Sequence, residues 1–220
     1  RATDLKTAFL DARWLCGDES LRSELPAIKA EIRGAEGGAL LEAKIEEARR
    51  RWAKHGGSYH LIEPNVKESP GGLRDYQMIW WVGMVLPWDG TLEGLYRLAI
   101  IDRHEIGDIR ASFDFLLRTR NELHFLMGTN WNVLTLDLQR SAAKGLGYKD
   151  AGGLLAVERF MRDYYSRTRT IYNLLERFLD ETRGEGNLRV IDGSLYLRVG
   201  TRGLGQHDLR RLHVRVLHRE

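Results

Sequence analysis

The residues best suited to chemistry lie in Tyr59-His-Leu-Ile-Glu-Pro-Asn-Val-Lys-Glu-Ser-Pro-Gly-Gly-Leu-Arg-Asp75. Pro64 and Pro70 stiffen this stretch, and Pro70-Gly71-Gly72 suits the opening of a helix capped by Ser69. The backbone N–H groups of Gly71, Gly72 and Leu73 are then expected at a positive helix end, where glycines let an anion come close. Lys67 and Arg74 flank the turn, while Glu63, Asn65, Glu68 and Asp75 add hydrogen-bonding groups. That combination fits contact with a phosphate or nucleotide. A capped loop with solvated charges fits it too.

A second group sits in a helical pattern. Ile106, Ile109, Phe113, Leu116, Leu123 and Met127 recur in steps of three and four, and Arg120 takes the slot between Leu116 and Leu123. An unpaired buried guanidinium is costly, so Arg120 needs a partner or a cleft, or it reaches out from the edge of the seam. Arg118, Asn121 and His124 lie within one turn of it. Tyr164, Tyr165, Arg167 and Arg169 form a weaker basic aromatic group, with the tyrosines at core spacing. His207, His213 and His218 lack metal-ligand spacing. The sequence has no HExxH, no GxxxxGK, no GxSxG and no Asp-x-Asp pair for two-metal nucleotidyl transfer, so no catalytic centre and no metal site can be assembled from it.

Helical elements must position these groups. Hydrophobic period predicts helices over 36–54, 72–85, 92–102, 105–127 and 154–178, the last through Leu154, Val157, Met161, Tyr164, Thr168, Ile171, Leu175 and Phe178. The expected fold is mainly α: an antiparallel helical bundle, with a small C-terminal β-hairpin turning at Asp192-Gly193. The expected segments are a helical connection over 1–60, the bundle over 61–183 and a basic tail over 184–220.

Composition excludes several classes. The 220 residues carry 34 Lys and Arg against 31 Asp and Glu, a net +3 too small to argue for nucleic acid. The surplus is local, because residues 183–220 hold 8 Arg against 4 acids, without an organised recognition element. The longest apolar run, Met78 to Leu86, is far short of the roughly 20 residues of a membrane span. A single Cys16 excludes an internal disulfide and favours a reducing, cytoplasmic setting. The chain begins at Arg1 rather than at Met, as expected of a piece of something longer.

Glu63-Pro-Asn-Val-Lys-Glu-Ser-Pro-Gly-Gly-Leu-Arg-Asp75 resembles the signature of the bacterial bifunctional PII uridylyltransferase/uridylyl-removing enzymes. Leu10-Asp-Ala-Arg-Trp-Leu-Cys-Gly-Asp18, Arg118-Thr-Arg-Asn-Glu-Leu-His124, Thr135-Leu-Asp-Leu-Gln139, Leu146-Gly-Tyr148 and Val157-Glu-Arg-Phe-Met-Arg-Asp-Tyr-Tyr165 resemble further motifs in the family's order. Coverage runs from about residue 5 to 182. The resemblance implies the helical domain that follows a nucleotidyltransferase core, whose Mg-binding carboxylates would lie upstream of Arg1. It also implies UMP transfer from UTP to a tyrosine of the PII signalling protein, with glutamine as effector and removal of UMP by an HD hydrolase domain. Within it, Asn65, Lys67, Gly71, Gly72, Arg74, Arg120, Asn121 and His124 become candidates for nucleotide or phosphate contact, supported by Glu63 and Asp75.

Two departures stand out. After Met127 the chain reads Gly-Thr-Asn-Trp-Asn-Val where the family usually has a basic residue, and beyond Gly200 the likeness mostly fails. Alternative readings are a substrate-binding bundle of another nucleotidyltransferase and a non-catalytic helical interaction module.

Overall fold

The computed structural model describes residues 2–35, 37–85, 91–97, 100–182, 188–191, 194–198 and 211–212. They are mainly helical: α1 (Ala2–Asp11), α2 (Glu19–Ala35), α3 (Gly37–Lys54), α4 (Leu73–Val85), α5 (Leu92–Arg97), α6 (Glu105–Met127), α7 (Leu136–Gly145) and α8 (Ala156–Thr182). Of the expected helices, α3, α4 and α6 hold their limits to within a residue. The segment expected at 92–102 is helical only to Arg97 among the described residues, with Thr91 Oγ1 accepting the Gly94 N–H (2.9 Å) at its start. Leu154 stays outside α8, half-exposed in a bridge with Ala151. No described helix is long and apolar enough to cross a membrane.

Leu188–Ile191 pairs antiparallel with Ser194–Arg198, placing Leu188 opposite Leu197, and a short strand at Arg211–Leu212 follows. The turn expected at Asp192-Gly193, and His207, His213 and His218, lie outside the described residues.

The chain divides into two compact units. One comprises residues 1–47, 79–100 and 177–220. In it Leu10 of α1, Ile28 and Ile32 of α2 and Leu40 of α3 form a small core. Lys44 is buried in this unit, held by Glu47 (2.8 Å) and lying 4.5 Å over the Trp81 ring.

The other unit comprises residues 48–78 and 101–176 and carries nearly all the candidate residues. The buried face of α6 is Ile109, Ser112, Leu116, Thr119 and Leu123. Thr119, rather than Arg120, therefore occupies the slot between Leu116 and Leu123, and Arg120 is turned onto the flank. Sequence periodicity misjudged this because Thr counts as polar, yet its hydroxyl is satisfied within the helix, donating to the Phe115 carbonyl (2.9 Å). Ser112 donates likewise to Asp108 (2.7 Å), and Thr168 of α8 to Tyr164 (3.1 Å). Phe115 meets Phe160 and Tyr164 of α8 at ring separations of 5.9 and 6.5 Å.

Small residues at these core positions allow close approach. Gly71 has φ +75°, and a Cβ there would come within 2.1 Å of the Thr168 carbonyl oxygen. The Pro70–Gly72 turn is thus pressed against the backbone of α8. Gly71→Ala is expected to destabilise the fold by roughly 3 kcal/mol or more, read as a lowered urea midpoint. Tyr164 behaves oppositely. Its hydroxyl is buried without a hydrogen-bond partner among the described residues. Tyr164→Phe is expected to leave stability unchanged or raise it by about 1 kcal/mol in the same measurement.

Candidate functional site

The 63–75 segment satisfies its own backbone. Asn65 Oδ1 accepts the N–H groups of Lys67 (3.0 Å) and Glu68 (2.9 Å), and Ser69 Oγ accepts the Asn65 N–H (2.8 Å). The Gly72 N–H donates to the Ser69 carbonyl (2.8 Å), that of Leu73 to Val66 (3.0 Å) and that of Arg74 to Lys67 (2.9 Å). Asp75, in the first turn of α4, reaches back so that Oδ2 accepts the Gly71 N–H (2.7 Å) and the Trp52 indole N–H (2.8 Å). Its Oδ1 pairs with the Arg51 guanidinium.

This corrects the expectation of free N–H donors at Gly71 to Leu73. Helix α4 begins at Leu73 rather than at Pro70, and the Ser69 hydroxyl serves Asn65 instead of the helix. The anion at this positive helix end is the protein's own Asp75. Gly72 is needed for the same internal reason, because a Cβ would lie 2.8 Å from the Ser69 and Val66 carbonyl oxygens. Asp75 is fully buried. Burial pushes its carboxyl above the usual range, opposed by Arg51 and by the Gly71 and Trp52 donors. His55, at the end of α3, is held below its ordinary value by partial burial and by Lys54.

The cations remain near the surface. Lys67 Nζ and Arg74 Nη2 lie 3.5 and 3.6 Å from the same oxygen, Glu68 Oε1, and each side chain is about a third exposed. Two positive groups thus share one carboxylate.

Arg120 closes the other side. Its Nε donates to Asn132 Oδ1 (2.8 Å) and its Nη2 to Asn130 Oδ1 (3.3 Å), while His124 Nε2 lies 3.3 Å from the same Asn132 oxygen. The Asn132 carbonyl accepts the Val66 N–H (2.8 Å), which ties Arg120 to the 63–75 segment through one residue. Asn65 bridges to Val133, and the Leu134 N–H donates to the Pro64 carbonyl (2.8 Å). Glu63 Oε1 accepts the Leu136 N–H (2.9 Å) at the start of α7. Gln139, buried in α7, donates to the carbonyls of Ile62 (2.7 Å) and Leu134 (3.1 Å).

Glu63, Asn65, Arg120 and His124 therefore share one hydrogen-bonded frame, bordered by Lys67 and Arg74. Asn121 is exposed and stays outside it. Sequence reasoning missed Arg51, Trp52, Asn130, Asn132 and Gln139. The asparagines had a signal: they stand in the Gly-Thr-Asn-Trp-Asn-Val run that departs from the expected basic residue. Ile62, Phe125, Leu126, Met127, Trp131 and Leu136 are exposed apolar residues of these same segments, Phe125 at 81%. Among the described residues no group of three or more His, Cys, Asp or Glu could hold a metal ion.

A sequence profile described as GlnD PII-uridylyltransferase matches residues 39–179. The chain is 37% identical over 213 residues to a bifunctional uridylyltransferase/uridylyl-removing enzyme of Phenylobacterium zucineum, covering 93% of this chain and 23% of that protein. Proteins of the same name match from Caulobacter vibrioides, 36% identical over 82% of this chain and 19% of theirs, and from Cereibacter sphaeroides, 35% identical over 80% and 19%. The chain spans about a fifth of the length of these curated relatives. No solved structure matches it.

Asp75→Asn tests the buried frame independently of function. It preserves shape but leaves the Arg51 guanidinium without its counter-charge. The expected loss is about 3 kcal/mol or more in urea denaturation, with a changed Trp52 fluorescence in the folded baseline.

Proposed function

Because the chain belongs to the GlnD PII-uridylyltransferase family, we propose that it is the helical segment of such an enzyme and positions nucleotide or acceptor for UMP transfer. The transfer is from UTP to a tyrosine of a PII signalling protein. Mg would be held by transferase residues outside those described here, which offer no cluster for it. Removal of UMP by an HD hydrolase domain, response to glutamine and a cytoplasmic setting belong to the same proposal. So does the carboxy-terminal hairpin, supported by the pairing of Leu188–Ile191 with Ser194–Arg198.

One observation carries the reading. Two segments more than forty residues apart in sequence, 62–75 and 120–139, are clipped into one frame through Asn132, Leu134, Leu136 and Gln139. The frame leaves Lys67 and Arg74 partly exposed side by side, both near Glu68 Oε1, suited to the charge of a triphosphate. Arg120 and His124 are oriented by the asparagines instead of by acids, so the Arg120 charge is left unneutralised by its hydrogen-bond partners. Gly71 and Gly72 serve by letting the turn close. Nucleotidyl transfer depends heavily on orientation and charge neutralisation, which a rigid frame supplies without a catalytic group of its own.

The test uses the full-length enzyme. Lys67→Ala is expected to raise the KM for UTP by about tenfold with a smaller change in kcat, as lost uniform binding does. Arg120→Gln is expected to lower kcat/KM for transfer by about tenfold or more, while hydrolytic removal of UMP is retained as the control for folding. Unchanged transfer in both variants would remove this frame from the nucleotide site.

The exposed run Phe125, Leu126, Met127 and Trp131 favours a second reading, in which the face docks on another protein surface. Phe125→Ser would then weaken that association, with Lys67→Ala and Arg120→Gln inert.

A further inference from the structure

On the opposite side of α6 a pocket of about 300 Å³ is lined by Phe115, Arg118, Leu146, Gly147, Tyr148 and Arg159. Residues 118 and 120 are about 200° apart around a helix, so Arg118 faces away from the Arg120 frame. Three separate sequence motifs supply all of the lining but Phe115: the 118–124 run, Leu146-Gly-Tyr148 and the 157–165 run. The proposed positioning role uses none of these lining residues.

The pocket is basic and its cations are poorly neutralised. Arg118 forms no hydrogen bond or ion pair among the described residues, and Arg159 donates only to the Lys149 carbonyl (2.7 Å). Arg118 and Arg167 both act electrostatically on Tyr148. Of the acids around it, Asp163 accepts from the Tyr148 hydroxyl (2.9 Å) and pairs with Arg162, Asp150 accepts the Ala156 N–H (2.7 Å), and Glu122, one turn along α6 from Arg118, lies against Gly145 without an ion pair to Arg118. The walls are aromatic and fixed. Tyr148 stands edge-on to Phe160 at 5.5 Å, and Phe115 packs against the same ring at 5.9 Å. Burial and Asp163 push the Tyr148 phenol up to about 12, so it stays a neutral donor to Asp163 throughout the ordinary pH range. A Cβ at Gly147 would meet nothing within 4 Å, which leaves the rim open.

Guanidinium groups without carboxylate partners beside fixed rings match an anion attached to a flat ring. The volume lies at the lower end of small-ligand pockets and suits a mononucleotide better than a bare ion. We propose that this pocket binds a nucleoside monophosphate, its phosphate between Arg118 and Arg159 and its base against Tyr148 and Phe115. The inference is independent of the role assigned to Lys67 and Arg120.

Calorimetric titration of the 220-residue chain with UMP, AMP, uridine and inorganic phosphate tests it. UMP is expected to bind more tightly than either uridine or phosphate, and comparable binding of AMP supports a site that reads ring and charge without base-specific groups. Arg118→Gln and Arg159→Gln are each expected to weaken UMP about tenfold, the scale of a lost charge-assisted contact. Arg140→Gln, an exposed change on α7, should leave binding unaltered. Arg118 is exposed, so its variant should keep the wild-type helical circular dichroism. No UMP binding at millimolar concentration, equal affinity in Arg118→Gln, or phosphate binding as tightly as UMP would each overturn the proposal.

Discussion

The second unit depends on one buried carboxylate. Asp75 is removed from water and held by Arg51 and Trp52 of α3 and by the Gly71 N–H. A buried charge of this kind is tolerated only when paired and hydrogen-bonded, and each of its partners is therefore fixed by it. Arg51 and Trp52 orient the end of α3. Gly71 orients the turn, and the turn in turn presses on Thr168. One side chain sets the relation of α3, the 63–75 segment and α8.

The Arg120 frame is built differently. Its links combine backbone and side-chain hydrogen bonds, with Asn132 serving twice: its carbonyl takes Val66 and its side chain takes Arg120 and His124. An asparagine can orient a guanidinium without cancelling its charge, whereas an acid would do both. This explains how the chain can carry Asn130 and Asn132 in the stretch where a basic residue was expected. The cation is supplied from α6 and the loop supplies the aim.

The long helices were legible because their apolar residues recur at steps of three and four over many turns, as in α6 and α8. The register error at Arg120 has a plain cause. Thr119 is buried, and its hydroxyl is satisfied by the Phe115 carbonyl, a local bond that a polarity count does not see. The importance of 63–75 was legible from its glycines, prolines and charges, but the direction of its N–H groups was not. Whether a helix start meets a ligand or an internal carboxylate depends on a residue three positions into the helix folding back. Asp75, a supporting group by its residue type and position, is itself the occupant. Arg51 and Trp52 lacked a signal because their partner, Asp75, lies more than twenty residues away in sequence.

Taken together, the buried and exposed charges of this unit have separate duties. Where a charge must hold the chain, it is withdrawn from water and fully partnered, as Asp75 is with Arg51. The candidate ligand cations are held differently: Lys67 and Arg74 share Glu68, with Arg74 also donating to Gln77, Arg120 donates to amide oxygens, and Arg118 and Arg159 pair with no carboxylate among the described residues. A fully paired surface arginine would have little charge left for an arriving phosphate, and an unpaired buried one would cost several kcal/mol. Cations left partly or fully exposed on a frame made rigid elsewhere avoid both penalties. On physical grounds the proposed role therefore asks of this segment only orientation and unspent positive charge.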